Sequence, residues 1–154
     1  MSTARAEAYT LYAVRFEMVR ETVPQIEPRT IRHAKDAGDL LLRLIGGKDR
    51  EHFVALALNT QHEVTAAHVV SIGGLAGAPV HPREVFKFAI AMSAAAVIIG
   101  HNHPSGNPEP SHDDILITEQ LRAAGRLLGI EVLDHIIVGE RRTISLREER
   151  KGFG

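Results

Sequence analysis

The stretch 94–114 constrains this chain more than any other part of its sequence. It reads A-A-A-V-I-I-G-H-N-H-P-S-G-N-P-E-P-S-H-D-D, and its apolar run at 95–99 is typical of a buried strand. His101 and His103 follow that run, and a turn-rich segment separates them from Ser111, a residue type preferred at helix N-caps. Side chains two positions apart lie on the same side of an extended chain. The stretch therefore predicts a strand, a loop and a helix, with both imidazoles on one side of the strand end.

These histidines and a nearby carboxylate form a candidate metal site. Asp114 lies three positions after Ser111, in the first turn of the predicted helix. Two imidazoles and one carboxylate can bind zinc and leave a fourth position for water. His112 and Asp113 compete with Asp114, because successive helical residues project about 100° apart and cannot all face the histidines. Spacing alone leaves that choice open, and a polar loop whose histidines only bond the backbone is the alternative to a metal site.

A hydrolytic zinc site also needs a general base for its water. Glu51 opens the apolar segment E-H-F-V-A-L and is the first candidate, although a solvated residue at a strand edge also fits this position. The other candidate glutamates are Glu63, Glu84, Glu109 and Glu119. Ser111 has two compatible roles, because an N-cap oxygen accepts a hydrogen bond while its hydroxyl can donate one to a developing oxyanion.

The rest of the chain alternates helical and strand patterns. Predicted strands cover 9–21, 51–58, 63–72, 95–99, 130–138 and 142–146, and predicted helices cover 36–45, 82–94 and 111–128. Asp36 is a candidate cap of the first helix, and His135 is predicted to be a hydrogen-bonded core residue. The third helix is predicted to face inward with Ile115, Leu116, Thr118, Leu121, Ala124 and Leu128. The order β-α-ββ-α-β-α-ββ predicts a mixed sheet with helices packed against it, not a doubly wound parallel sheet.

Composition excludes several classes of protein. The chain has 154 residues and no cysteine, so disulfides and thiolate metal ligands are absent. A net charge of -1 gives no overall basic field for nucleic acids, although basic residues cluster at 141–142 and 147–151. No segment approaches the roughly 20 apolar residues of a membrane helix. We expect a cytoplasmic protein with a flexible tail at 1–8, one domain at 9–146 and a charged tail at 147–154.

The motif resembles that of a known superfamily. His101-x-His103, seven residues, Ser111, two residues and Asp114 match the H-x-H-x7-S-x2-D signature of JAMM (MPN+/JAB) metalloproteases. The string H-N-H-P-S-G-N-P-E-P-S, with V-H-P-R-E-V-F before it and L-G-I-E-V-L-D-H-I-I-V-G after it, resembles the RadC family. The resemblance covers about 9–146. RadC-like proteins often carry an N-terminal helix-hairpin-helix region, and from its length we expect this chain to correspond to the catalytic-type domain alone.

The resemblance implies a fold and a chemistry. The fold would be the cytidine-deaminase-like JAB/MPN arrangement, an α/β class with a mixed central sheet flanked by helices. Zn²⁺ would be held by His101, His103 and Asp114, which selects Asp114 over its neighbours. Glu51 would activate a water, and Ser111 would stabilise the tetrahedral intermediate. The reaction would be hydrolysis of a peptide or isopeptide bond in a peptide or protein substrate.

Two other functions stay open at this point. The chain could be an accessory protein of DNA repair or mobile-element maintenance that binds protein or DNA, with the basic clusters at 141–142 and 147–151 as the contact. A nucleobase deaminase is a weaker hypothesis, because the chain lacks cysteine ligands and a P-C-x-x-C string. The strand at 142–146 is a candidate edge for pairing with a substrate or with a second copy in a homodimer.

Overall fold

One mixed five-stranded sheet organises the computed structural model, which describes residues 11–15, 29–74 and 79–154. The elements in chain order are α1 (Ala34–Ile45), β1 (His52–Leu58), β2 (Val64–Ile72), α2 (Pro82–Ala91), β3 (Ala96–Asn102), α3 (His112–Leu128), β4 (Glu131–Val138) and β5 (Thr143–Ser145). The strands lie in the order β2-β1-β3-β4-β5. β3 is the central strand, antiparallel to β1 and parallel to β4. The predicted mixed sheet with flanking helices is confirmed.

Helices cover both faces of the sheet, because β1 and β3 direct apolar side chains alternately to each side. On one face, Leu56 and Ile98 pack with Leu41 of α1. On the other face, Ile99 packs with Phe86 of α2 and Leu121 of α3. The strand alternation therefore divides the core into two clusters, and it directs even-numbered residues of β3 toward α1 and odd-numbered ones toward α3.

Gly100 on β3 allows α1 to lie close to the sheet. A Cβ at this position would come within 2.5 Å of Leu41 Cδ1 and within 3.1 Å of the Ile136 carbonyl oxygen. Contacts this short do not occur between ordinary side chains, so this close packing depends on the absence of a side chain. Gly100 thus lets the strand pass under Leu41 immediately before it carries the histidines.

The prediction that Asp36 caps α1 is wrong. The helix begins at Ala34 with His33 at the N-cap position. The Asp36 carboxylate instead accepts backbone N–H bonds from Arg32 at 2.9 Å and from His33 at 3.0 Å. These backbone hydrogen bonds lower the pKa of Asp36. Asp36 therefore stabilises the helix start from its first turn, as the acidic residue of a capping box does.

The inward face of α3 also differs from the prediction. Thr118 and Leu121 are buried as expected, but Leu116 and Leu128 are 41% and 47% exposed. The buried stripe instead follows Asp114, Thr118, Leu121 and Gly125, a spacing of one helix face. A Cβ on Gly125 would lie 2.3 Å from the Ile130 carbonyl oxygen, so the helix contacts the following strand through a residue without a side chain. The prediction followed hydrophobicity, which favours burial of leucines over burial of the polar and small residues that form this stripe.

Several predicted boundaries shift, and one predicted strand cannot be compared. β3 continues beyond the apolar run at 95–99 to Asn102, and α2 ends at Ala91. Most of the predicted strand 9–21 lies outside the described residues, and the part that is described, 11–15, has no regular structure. Residues 147–150 form turns, and the segment after them contacts α3, where Arg122 donates to the Gly152 carbonyl oxygen at 2.8 Å.

Candidate metal centre

The histidine pair lies where β3 meets the loop before α3. His101 is 1% exposed and continues the odd-numbered face of β3, so its ring points toward α3 and stacks on Phe53 with an interplanar angle of 10°. The Nε2 atoms of His101 and His103 are 3.0 Å apart. The expected arrangement of the two imidazoles on one side is therefore present.

A capping box at the start of α3 turns the Asp114 carboxylate back toward these rings. The Ser111 hydroxyl oxygen accepts the Asp114 N–H at 3.1 Å, and Asp114 Oδ2 accepts the Ser111 N–H at 2.8 Å. Asp114 Oδ1 lies 3.1 Å from His101 Nε2, and Oδ2 lies 3.2 Å from His103 Nε2. His112 and Asp113 are exposed. Of the three competing residues, the structure brings Asp114 to the histidines.

The donor set of this cluster suits a cation. His103 Nδ1 lies 2.8 Å from the Asn107 carbonyl oxygen, which can only accept, so Nδ1 carries the ring hydrogen and Nε2 of the neutral ring presents a lone pair. One ligand atom each from His101, His103 and Asp114 lie within 4.8 Å of one another. Converging lone pairs and a carboxylate repel one another unless a proton or a metal ion lies between them. The three residues therefore fit a metal ion, and zinc accepts this ligand set.

The pKa shifts record the same crowding of acceptors. The hydrogen bond with the Asp114 carboxylate raises the pKa of His103 above its ordinary value, and this effect exceeds the lowering by burial. Burial alone would raise the pKa of Asp114, but the adjacent imidazoles of His101 and His103 outweigh burial and hold it well below its usual range. The carboxylate is thus ionised, and its negative charge beside two imidazoles suits the binding of a cation.

Glu51 lies beside the cluster. It directly precedes β1, and its Oε1 atom is 3.9 Å from His101 Nε2. The antiparallel register that pairs Phe53 with His101 brings the start of β1 to the end of β3. The side chain is 23% exposed, so water can reach a carboxylate that also lies next to the candidate ligands. The structure therefore brings Glu51 next to the candidate ligands, as a general base for a bound water requires.

Asn102 holds the segment around Glu51 and was not singled out from the sequence. It lies on β3 between the two histidines but points to the opposite face, where it is 3% exposed. Its Oδ1 atom accepts the His52 N–H at 2.7 Å, and its Nδ2 donates to the Arg50 carbonyl oxygen at 2.9 Å. The residues on both sides of Glu51 are therefore bonded to the strand that carries the histidines.

The other candidate bases lie elsewhere. The Glu63 carboxylate accepts from Asn59 Nδ2 at 2.8 Å in the β1–β2 turn. Glu109 is paired with Arg142 at 3.7 Å. Glu84 and Glu119 are exposed on helices. None of the four is among the residues that gather around the histidines.

His135 and Thr118 form a buried layer behind His101. His135, predicted to be a hydrogen-bonded core residue, is fully buried on β4. Its Nε2 atom is 2.8 Å from His101 Nδ1, and its Nδ1 atom is 2.6 Å from Thr118 Oγ1. The sequence carries one signal for Thr118, since it lies four residues after Asp114 on the same helix face. The contact of His135 with His101 depends on the parallel pairing of β3 with β4, which sequence patterns do not give.

A cleft of about 350 Å³ borders one candidate ligand, His103, whereas His101, Asp114 and Glu51 do not line it. His103 and Asn102 form part of its wall, and the rest comes from segments 47–49, 104–106 and 138–140. A cleft of this size accommodates a short segment of chain or a small ligand.

Within the described part of the chain, no helix is long and apolar enough to cross a membrane.

The fold and the site define a mixed α/β domain with a candidate metal centre at the end of its central strand. The family model of the RadC-like JAB domain matches residues 31–152. The chain belongs to this family, and the resemblance drawn from the sequence is confirmed.

Proteins of archaea and bacteria show the same relationship. The chain is 46% identical over 147 residues to a UPF0758 protein of Methanosarcina barkeri, covering 94% of this chain and 64% of that protein. It is 51% identical over 118 residues to a UPF0758 protein of Moorella thermoacetica, covering 77% of this chain and 52% of the relative. A UPF0758 protein of Shouchella clausii is 52% identical over 123 residues, covering 80% and 53% of the two chains. The chain thus spans between about half and two thirds of the length of these relatives.

Proposed function

We propose that this domain is a zinc-dependent hydrolase of the JAMM type that cleaves a peptide or isopeptide bond. The observation that carries the proposal is the convergence of His101, His103 and Asp114 with the Glu51 carboxylate 3.9 Å from one of the candidate ligand atoms. A structural zinc site usually takes four protein ligands, whereas a catalytic one takes three and leaves a position open. The partly exposed Glu51 beside a three-residue ligand set favours the catalytic type.

Each residue has a role in the proposed reaction. Zn²⁺, when bound to the two imidazoles and the carboxylate, supplies an acidified water and Lewis acidity. Glu51 accepts a proton from the attacking water and delivers it to the leaving amine nitrogen, so a C–O bond forms as the C–N bond breaks. The Ser111 oxygen already accepts in the helix cap, and its hydroxyl hydrogen can donate to the carbonyl oxygen as negative charge develops.

Paired variants test the proposal. We expect protein purified without chelator or histidine tag to hold about one zinc ion per chain by metal analysis, as a single three-ligand site requires. Glu51→Gln should keep the zinc and lose hydrolysis, measured by mass spectrometry on a mixture of linear and lysine-linked peptides. His101→Ala should lose both. Glu119→Gln, a change on the exposed face of α3, is the matched control and should behave as wild type.

Two results would contradict the proposal. One is wild-type protein without zinc and without any change in metal content on His101→Ala. The other is Glu51→Gln protein that cleaves the same peptides at the wild-type rate.

A second candidate function is binding of nucleic acid or another polyanion away from this centre. A cavity of about 390 Å³ between α3 and the C-terminal segment is lined by Arg122, Arg126, Arg147 and Arg150, together with Glu131. The predicted basic cluster at 141–142 is partly neutralised, since Arg142 pairs with Glu109. The arginine-lined cavity is therefore the better candidate contact for phosphate groups.

Salt-dependent binding of a labelled oligonucleotide tests this second candidate. We propose that Arg126→Glu with Arg150→Glu lowers both the affinity and the dependence of log affinity on log salt concentration. Arg83→Glu on α2, an exposed arginine away from the cavity, serves as the control. No measurable affinity of the wild-type domain at low salt would exclude direct binding of DNA by this domain.

A further inference from the structure

A chain of buried hydrogen bonds leads away from the ligand cluster and returns to it. His101 Nδ1 is 2.8 Å from His135 Nε2, and His135 Nδ1 is 2.6 Å from Thr118 Oγ1. Thr118 Oγ1 donates to the backbone carbonyl oxygen of Asp114 at 2.6 Å. All three side chains are at most 1% exposed, so solvent does not compete for these bonds. The chain joins one candidate ligand, His101, to the backbone of another, Asp114.

The donor and the acceptor of each bond follow from the final bond of this chain, between Thr118 and the Asp114 carbonyl oxygen. The Asp114 carbonyl can only accept, so it takes the single hydroxyl hydrogen of Thr118. The Thr118 oxygen must then accept from His135 Nδ1, which therefore carries a hydrogen. If His135 is neutral, its Nε2 atom has no hydrogen and accepts from His101 Nδ1.

The surroundings of His135 favour the neutral ring. Phe53 packs its ring against His135 at a centroid distance of 5.6 Å, and among the described residues the two polar contacts of the ring are those with His101 and Thr118. A charged imidazolium without a carboxylate partner is costly in such a place. The full burial of His135 between Phe53 and these two hydrogen bonds therefore supports the neutral form.

We propose that His135 and Thr118 are positioning residues of the metal centre, which hold His101 in the tautomer with hydrogen on Nδ1. In this tautomer the lone pair of His101 Nε2 points at His103 and Asp114. Metal-bound histidines commonly donate their other ring N–H to a carboxylate, a carbonyl or water, and here a second histidine takes that role. The inference rests on the metal-binding part of the proposed function and not on hydrolysis.

Two substitutions of Thr118 separate this role from simple packing. Thr118→Val keeps the volume and removes the hydroxyl, so His135 Nδ1–H loses its acceptor. The His135 proton is then better placed on Nε2, where it donates to His101 Nδ1, and the His101 proton moves to Nε2 inside the ligand cluster. Thr118→Ser keeps the hydroxyl and removes only a buried methyl group, so it lowers stability through packing and leaves the tautomer unchanged.

Two measurements report on the proposal. Nitrogen-15 NMR of histidine-labelled, metal-free protein gives the tautomer of His101, and competition with a chelator gives the affinity for Zn²⁺. We expect the Nδ1–H form in wild type and Thr118→Ser, and the Nε2–H form in Thr118→Val. The zinc affinity of Thr118→Val should fall roughly 10- to 100-fold, the range found when such supporting partners are removed. Thr118→Ser should bind zinc as wild type does.

The outcomes separate this proposal from the proposed function. A wild-type His101 with hydrogen on Nε2, or a larger loss of zinc affinity in Thr118→Ser than in Thr118→Val, overturns the positioning role. Wild-type protein with the Nδ1–H tautomer but no zinc binding supports the tautomer assignment and overturns the hydrolase. If Thr118→Val does not fold, His135→Gln replaces it as the variant. Its amide oxygen can accept from His101, so zinc binding above that of His135→Leu is expected, and equal binding by the two overturns the proposal.

Discussion

Replacement of Asn102 by alanine tests whether the structure positions Glu51 independently of the metal ligands. The side chain makes two short hydrogen bonds, to the backbone on either side of Glu51, and a third at 3.4 Å to the Lys48 carbonyl oxygen. Each short bond contributes about 1 kcal/mol to the free energy of unfolding, and the orphaned His52 N–H adds about 1–3 kcal/mol. We expect Asn102→Ala to destabilise the domain by about 3–5 kcal/mol.

The functional effect should be selective. Asn102 faces away from the ligand cluster, so zinc affinity should stay close to the wild-type value while the Glu51 carboxylate loses its fixed position. Misplacement of a catalytic group by about 1 Å can cost on the order of 100-fold in rate. We therefore expect kcat for peptide hydrolysis to fall about 100-fold at a temperature where the variant is folded. Urea denaturation, chelator competition and the peptide assay give the three quantities.

Asn59→Ala is the matched control. Asn59 also makes three hydrogen bonds through its side chain, but at the turn between β1 and β2, at the opposite end of β1 from Glu51. It should lower the free energy of unfolding and leave kcat unchanged. The reasoning would be refuted if Asn102→Ala kept the wild-type kcat, or if its zinc affinity fell in parallel with its rate.

Three further predictions follow from the fold and the site. In metal-free protein the raised pKa of His103 stabilises the fold fully below the ordinary pKa of 6.5, and this stabilisation is lost as pH rises through the raised pKa. His103→Gln should therefore make the unfolding midpoint independent of pH over that window. A wild-type midpoint that already does not change with pH there contradicts this prediction. Gly100→Ala should destabilise the domain by about 1–3 kcal/mol in chemical denaturation, and Leu41→Ala in the same chain should recover part of the loss; strictly additive effects contradict this. Ser111→Ala should lower the free energy of unfolding by about 1 kcal/mol, because the helix cap is lost. It should also lower the rate of hydrolysis roughly 100- to 1000-fold at unchanged zinc content. A loss of rate no larger than the loss of folded protein would mean that Ser111 acts only as a cap.

The sequence predicted the elements for which the spacing of apolar residues and the turn residues indicate the same structure. The β1–β2 hairpin and the strand, loop and helix around the histidines were predicted because their patterns are local. The errors at Asp36 and Leu116 have local causes as well. A carboxylate near a helix start can be either the N-cap residue or the first-turn residue that accepts from the N-cap backbone. The buried face of a helix can also consist of polar and small residues. The predicted strand 9–21 stays a prediction, since it lies largely outside the described residues.

The candidate site was predictable only in part. His101, His103 and Asp114 share a motif with fixed spacing. Glu51 was a candidate base from its place at the start of an apolar segment, and the resemblance to a known superfamily favoured it over a solvated residue. Residues behind them could not be predicted in the same way. Asn102 and Thr118 resemble ordinary polar residues in the sequence, and their buried hydrogen bonds depend on which strands and helices become neighbours. Strand order, and with it the contact of His135 with His101, is set by packing of the whole sheet.

The central claim is most directly tested by anomalous diffraction at the zinc absorption edge, from crystals grown with Zn²⁺. We predict one peak, at bonding distance from Nε2 of His101, Nε2 of His103 and the carboxylate of Asp114. Its fourth position should be free of protein ligands and within hydrogen-bond reach of Glu51 through one water. Absence of a peak between these residues, or a fourth protein ligand that closes the site, would contradict a zinc hydrolase.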